Sequence, residues 1–515
     1  MTTVSNRHTP APALSPAQRW AALAVLSASL IVISIDMTIL NVALPHITTD
    51  LTPTASQQLW IVDIYALVLA GLLVPMSAVA DRFGRKRILL TGFGVFAIAS
   101  LLVLTATTPG SVISIRALLG VGGAMIMPTT LSMIRVIFTD PKERATALGI
   151  WAAVSSLGMA VGPVVGGLLL EHYSWQSAFL INVPLMAIAL IAGLFLLPEF
   201  RSAVPPRWDT LGALASISGM VALVWSIKHV AHEGFGNPAA WGAFAAAALA
   251  LTWFVRRCLS QANPMLDLRL FRNAPFTAGT VAALTFMFAM SALLLLAAQW
   301  LQLVRGASPL EAGVSMLPAV LAVGVASPLA PALAARIGAR AVLGGGLAVA
   351  GLGFLVIFLA PTPLTYGWMV LALILLGSGG SSLAVGSAII MSGTPQDKAG
   401  NAAALEETSY ELGSVLGVAI LGSVAAAVYS AGLSSTALAG LGLDDSQAAA
   451  ARESLGGAVG VAAEAGSQKL TALATQSFVE ALSQTGLAGF FIMTVAAVAV
   501  TLLVPRSLDL TKQSH

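Results

Sequence analysis

Apolar residues run along this chain in continuous blocks of about twenty, separated by short polar segments, without the alternation that marks strands. A block of that length crosses the hydrocarbon core of a bilayer as a helix, and in lipid only helices or closed barrels satisfy their own backbone groups. The pattern predicts an all-α polytopic membrane protein. Its fourteen spanning helices fall at about 17–45, 57–80, 88–106, 111–134, 145–170, 177–198, 209–228, 239–255, 275–304, 309–334, 340–360, 366–391, 400–430 and 486–505. An even number puts both termini on one side. The first sixteen residues are polar and no small-residue cleavage site follows the first apolar run, so the first helix reads as retained.

Charge sharpens this picture. Only 9% of the 515 residues are Asp, Glu, Lys or Arg, against 57% hydrophobic ones, and the mean hydropathy is +0.89. With the N-terminus in the cytoplasm, 20 of the 25 Lys and Arg lie in cytoplasmic segments. Outside are Lys228, Arg305, Arg452 and Lys469, and Arg116 alone is within the membrane. The positive-inside rule supports that orientation, and the net charge of +3 is explained by topology without nucleic acid. The expected location is the cell (inner) membrane, multi-pass, with both termini cytoplasmic. The single cysteine, Cys258, excludes an intrachain disulfide.

Two basic connectors, ADRFGRKR at 80–87 and AARIGAR at 334–340, recur with an offset of 254 residues, which maps the first helix onto the ninth and the fifth onto the thirteenth. The expected organisation has a cytoplasmic segment at 1–16, a six-helix bundle at 17–198 and two inserted helices at 209–255. A cytoplasmic linker at 256–274, a second six-helix bundle at 275–505 and a cytoplasmic tail at 506–515 follow. Parallel halves with a binding site between them are a transporter architecture. The second half carries a long external loop at 431–485, in which the apolar spacing from Ser467 to Leu482 suggests either a surface helix, a hairpin or a partly ordered loop.

The stretches IDMTILNVALP at 35–45, DRFGRKR at 81–87, Arg116 followed by GVGGAMIMP, and GMAVGPVVGG at 158–167 resemble the major facilitator superfamily in its fourteen-helix drug:proton antiporter branch. WIVDIY at 60–65 and EETSYELG at 406–413 look like the QacA-type multidrug and quaternary-ammonium exporters. The resemblance covers nearly the whole chain and implies the major facilitator fold and drug export. Several relatives carry a further carboxylate in the tenth helix; LPAVLAVGVASPLAP at 317–331 has none, which argues against bulky divalent cations as cargo.

Ionisable groups inside hydrocarbon-length segments are costly to keep and mark pathways for ions, protons or charged substrates. Asp36, in the first helix, reads as a site of proton or cation exchange or as a carboxylate satisfied by Thr38 and Asn41. Asp63, beside Trp60 and Tyr65, either attracts cations at the external mouth or is a solvated helix-start carboxylate. Glu407 and Glu411 are four residues apart and share a helix face, so they repel one another and form a proton switch unless the helix merely begins there; Glu406 is rotated by about 100° from Glu407. Arg116 cannot lose its proton in practice and either tunes Asp36 or snorkels to the interface. Acids outnumber this one base, so a lipophilic cation is the expected cargo. Trp60, Tyr65, Met127, Trp151, Met290, Trp300 and Tyr410 are candidate cavity-lining residues for cation–π and adaptable apolar contact.

In DRFGRKR, Asp81 can accept at a helix end, Gly84 permits a tight turn, and Arg82, Arg85 and Lys86 serve a gating latch or topology alone. Gly158, Gly162, Pro163, Gly166 and Gly167 give a small-xxx-small face with a kink. Together these residues point to a secondary active transporter, not an enzyme: a proton-coupled multidrug efflux antiporter for lipophilic cations such as quaternary ammonium compounds, dyes and biocides. The rivals are a proton-coupled exporter of a neutral or natural-product antibiotic and, more remotely, a polytopic membrane enzyme. The six histidines, His8, His46, His172, His229, His232 and His515, are scattered and form no metal or acid/base cluster. No P-loop appears, so no cofactor or nucleotide is expected and the drive is the proton gradient. The expected partners are cationic small molecules, protons and membrane lipids acting on a monomer.

Overall fold

The computed structural model describes residues 15–138, 140–201, 209–233, 236–261, 264, 266–392, 394, 399–434, 438 and 440–505. The terminal segment 1–14 and the tail 506–515 lie outside the described residues. Every regular element among them is helical. The long helices are α1 (Pro16–Leu51), α2 (Ala55–Phe83), α3 (Arg85–Leu102), α4 (Pro109–Ile137), α5 (Pro141–His172), α6 (Asn182–Leu196) and α7 (Thr210–Glu233). They continue with α8 (Pro238–Ser260), α9 (Ala274–Gln299), α10 (Pro309–Ile337), α11 (Ala339–Leu359), α12 (Tyr366–Ser378 and Gly380–Ser392), α13 (Ala399–Gly432) and α14 (Gln468–Leu503). Thirteen of these spans are long and apolar enough to cross a membrane over their described length, and α5, apolar from Leu157 to His172, makes the fourteenth.

Polar caps start these helices where the apolar pattern alone is silent. Reciprocal side-chain and backbone bonds join Ser15 to Gln18 before α1, Thr54 to Gln57 before α2 and Ser308 to Glu311 before α10. The internal repeat is structural. Gly84 and Gly338 both take positive φ, 118° and 91°, and each donates its N–H to a carbonyl four residues back, at 2.9 Å. α5 lies on α1 with Gly158 against Ile31 and Gly162 against Ile35; in the other half α13 lies on α9 with Gly413 against Leu284 and Gly417 against Phe288. The absent side chains let the backbones touch, the means by which helices associate where lipid offers no hydrophobic drive.

α7 and α8 form a separate pair clipped at one end. The Asp209 carboxylate, just ahead of α7, accepts from Gly212 N–H at 2.9 Å, Arg257 Nε at 2.7 Å and Gln261 Nε2 at 3.1 Å. The Arg257 guanidinium bonded to it holds this carboxyl below the usual carboxylate range.

The two halves meet on the side opposite residues 16 and 503. There α5 and α10 are in backbone contact: a Cβ on Gly313 would lie 2.2 Å from Pro163 O, and one on Gly167 would lie 2.4 Å from Leu310 Cα. On the same side Gln302 Nε2 donates to Val42 O at 3.1 Å, and Gly422 and Gly456 approach Leu59 and Thr48.

One boundary is corrected. The helix expected at 486–505 starts at Gln468, so the loop expected to run to residue 485 ends there and the Ser467–Leu482 stretch is neither a hairpin nor a separate surface helix. Its Gln, Thr and Lys residues depress the local hydropathy, yet Leu470, Ala474, Phe478 and Leu482 form a buried stripe continuous with the rest of α14. The loop itself holds two short helices, Asp445–Glu453 and Leu455–Ala465, and Tyr429 OH of α13 donates to Ala451 O at 3.0 Å.

Two outcomes are expected in thermal melts of the detergent-solubilised protein. Gly313→Ala should destabilise by about 1–3 kcal/mol because the new methyl meets immovable backbone, whereas Gly345→Ala, with nothing within 4 Å of its Cβ position, should not. A carboxyl held low in the folded state stabilises at pH values above the ordinary carboxylate range and loses that contribution as pH falls through its folded value. The melting difference between the intact chain and Asp209→Asn should therefore be constant from about pH 8 to 5 and shrink once the pH falls below the ordinary carboxylate range.

Candidate functional site

Within the first half, four helices converge on one carboxylate. Asp36 of α1 is fully buried; its Oδ2 accepts from Arg116 Nη1 of α4 at 2.8 Å, and its Oδ1 accepts from Asn182 Nδ2 of α6 at 2.8 Å. Arg116 is only 2% exposed, which excludes snorkelling; its Nε donates to Ile61 O at 3.2 Å, and its guanidinium lies over the Tyr65 ring at 4.7 Å. Asn182 also reaches Ser100 Oγ at 3.4 Å. Thr38 does not serve Asp36, because its hydroxyl donates to Ser34 O and Ile35 O of its own helix.

The expectation that Arg116 meets Asp36 is thus a contact in the structure, while Asn182 and Ser100 were missed by sequence reasoning. Asn182 follows a short helical turn, Ser177–Leu180, and opens α6. An amide at a helix start reads as a cap in sequence, and no motif betrayed its aim into the bundle.

Asp63 is 1% exposed, two turns inside α2, so it is not a solvated helix-start group. Tyr65, on the same helix, lies within electrostatic reach of Asp36 and Arg116 of the first half and of Glu411 of the second.

Glu411 of α13 is 2% exposed, and its Oε2 has no hydrogen-bond partner among the described residues. Glu407 is half-buried and within electrostatic reach of both Glu411 and Glu406. Glu406 is buried and accepts a short hydrogen bond from Tyr410 OH. α13 begins at Ala399, so these acids lie two to three turns within it and are not its first residues.

Of the candidate lining residues, Trp60, Trp151, Met290 and Tyr410 are half-buried. Met127 lies among the buried residues of the first half's core. Trp300 is corrected: it has no exposed surface and belongs to the apolar core of the second half, at a wide turn where Arg305 N–H bonds to Trp300 O at 3.0 Å. It cannot line a cavity. Among the described residues no group of three or more His, Cys, Asp or Glu could hold a metal ion.

The DRFGRKR loop is tied inside its own half. Arg85 Nη1 donates to Ser132 O at 3.2 Å and Lys86 Nζ to Leu194 O at 2.7 Å. Glu199, beyond α6, accepts from Lys86 N–H at 3.1 Å and closes on Gly84, where a Cβ would lie 2.6 Å from its Oε1. Glu199 was not singled out in the sequence. Arg82 is exposed and lies over the Phe83 ring at 5.8 Å; the Asp81 side chain lies outside the described ones. Gly158, Gly162 and Gly166 face α1, while Pro163 and Gly167 face α10, so the glycine-rich stretch serves two neighbours at once.

A family model described as Major Facilitator Superfamily matches residues 26–418 and 279–511. The chain is similar to the multidrug efflux pump LfrA of Mycolicibacterium smegmatis, 40% identical over 496 residues, which cover 96% of this chain and 97% of that protein. It is 38% identical over 451 residues to the methyl viologen resistance protein SmvA of Salmonella typhimurium, covering 86% and 89% of the two chains. It is also 32% identical to the tetracenomycin C resistance and export protein of Streptomyces glaucescens, over 81% and 77%. Among solved structures, a bacterial homologue of the lysosomal transporter Spinster superposes with a TM-score of 0.67 at 18% identity, covering 95% of this chain and 97% of that one.

Removing one partner of a buried pair strands the other charge. Asp36→Asn should cost about 3–5 kcal/mol, Asn182→Ala less, and the double variant Asp36→Asn/Arg116→Gln should melt above Asp36→Asn alone. Melting curves of the four proteins in one detergent check this ordering.

Proposed function

Given that this chain belongs to the Major Facilitator Superfamily and is a transporter, not an enzyme, we propose that it is a proton-coupled multidrug efflux antiporter that exports lipophilic cations by alternating access. On this reading it lies in the cell (inner) membrane with both termini cytoplasmic. The observation that carries the reading is Glu411, enclosed in the membrane with an unbonded carboxyl oxygen beside Glu407 on the same helix face. An acid held there has two competing uses, a proton or a cation, and that competition is what couples opposite fluxes.

Asp36 has a different part in this scheme. Its two oxygens accept from Arg116 and Asn182, so a proton arriving there removes the charge to which both donors are bonded. Because Arg116 keeps its charge, neutralising Asp36 leaves a buried cation to be compensated elsewhere, and a rearrangement of α1, α4 and α6 follows. Glu407 and Glu411 then act as the exchange site, and the Asp36–Arg116 pair as the element that registers a proton and biases the conformation. In the proposed orientation the contact of α5 with α10 seals the external side, so this state receives cargo from the cytoplasm. The names of LfrA and SmvA support drug export, and methyl viologen is itself a dication, which makes divalent cargo worth testing despite the missing acid in α10.

A membrane potential supplies about 2.3 kcal/mol per charge per 100 mV, roughly a 40–50-fold gradient. Exchange of one proton for one monovalent cation gains nothing from it, so more than one proton per cation is expected. In proteoliposomes, an imposed pH gradient should drive a fluorescent lipophilic monocation, the potential should accelerate it, and Glu407→Gln and Asp36→Asn should each abolish the driven movement. No gradient-driven movement of mono- or dication by the intact chain would refute cation export and favour a neutral cargo; transport indifferent to the potential would refute the stoichiometry.

A further inference from the structure

On the side of residues 16 and 503, a cavity of about 380 Å³ lies between α2, α9 and α13, with the inserted α7 and α8 forming its outer wall. That volume falls within the roughly 300–1,000 Å³ of small-molecule sites. Its walls are apolar, from Pro75 and Met220 to Leu284 and Leu412, and Leu268 and Phe271 of the connector after α8 close one end. Of its four hydroxyl-bearing residues, Thr280 and Ser409 donate to Phe276 O and Leu405 O of their own helices, so they ask nothing of a ligand. None of the acids described above lines it.

The rim is charged. The last turn of α8 and the connector carry Arg256, Arg257, Arg269 and Arg272, next in sequence to the lining residues Val255, Leu268 and Phe271. Arg257 is held by Asp209, and Arg269 Nη2 donates to Leu259 O and Gln261 O, both at 2.9 Å. Arg256 and Arg272 are exposed and have no ion pair among the described residues. An apolar slot whose closing segments carry exposed arginines, without an ion pair among the described residues, matches one class of ligand: an acyl tail in the slot and an anionic headgroup at its end.

We propose that this cavity holds an anionic phospholipid, its acyl chain between the inserted pair and the two halves and its phosphate against Arg256 and Arg272. The lipid completes a wall that the protein leaves open, between α2 of one half and α9 and α13 of the other. Nothing in this assignment depends on which drug is exported or on proton coupling, and its readout is bound lipid, not transport.

The test is to strip the full-length protein of lipid in detergent, add an equimolar mixture of phosphatidylglycerol and phosphatidylcholine, and count bound lipid by native mass spectrometry. The intact chain should retain one phosphatidylglycerol in preference to phosphatidylcholine. Arg256→Gln/Arg272→Gln should weaken retention by about fivefold per arginine removed, and Ala213→Phe, which fills the cavity from α7, should abolish it for both lipids. Because both arginines are exposed, their double variant remains informative if the cavity-filling one does not fold. Equal retention of the two lipids, unchanged retention in the arginine variant, or displacement of the lipid by a lipophilic monocation would overturn the assignment, the last in favour of a substrate path.

Discussion

Arg116 is a permanent positive charge placed where almost no water reaches, and the first half is arranged around that fact. Three other helices contribute to neutralising it or to fixing its partner: a carboxylate from α1, a backbone carbonyl and an aromatic face from α2, and an amide from α6. Burying two ions is expensive, and such a pair is weak support for stability by itself. Its worth here is that the helices have an arrangement in which both buried charges are paired. Removing the Asp36 charge would leave Arg116 buried without its ionic partner.

The second half is built on the opposite principle. On α13 the Glu411 Oε2 has no hydrogen-bond partner among the described residues, while Glu406 accepts from Tyr410 OH. A paired charge in one half contrasts with an unbonded carboxyl oxygen of Glu411 in the other, and Tyr65 of α2 lies within electrostatic reach of both. The asymmetry matters because the helices themselves repeat: α5 on α1 and α13 on α9 use the same close glycine contacts. Symmetric scaffolds with different polar fillings can interconvert between two packings while keeping one binding region.

Most of the scaffold was legible because lipid imposes a coarse rule that apolar length reveals directly. The two basic connectors are alike in the structure as in the sequence, because Gly84 and Gly338 both turn with positive φ, which glycine adopts without strain. The start of α14 was not legible, since its first four turns bury a stripe against protein and expose Gln468, Lys469 and Glu480, an amphipathic pattern that hydropathy averages away. At the site, charged residues announced themselves because charge in hydrocarbon is rare. Asn182, Ser100 and Glu199 did not, because amides, hydroxyls and membrane-edge acids are ordinary in such positions and only the third dimension gives them partners. Trp300 misled for the converse reason: large aromatic residues look like binding elements, yet this one fills the core.

The seam between the halves joins Gly167 to Leu310 and Gly313 to Pro163, main chain against main chain. Glycine brings no side chain to these two contacts, so parting them uncovers little greasy area and demands little reordering of rotamers. Close fit and strong adhesion are separate properties, and this joint has the first without much of the second. It can be watertight when shut yet cheap to break, which is the quality a transporter's valve needs if it is to cycle many times.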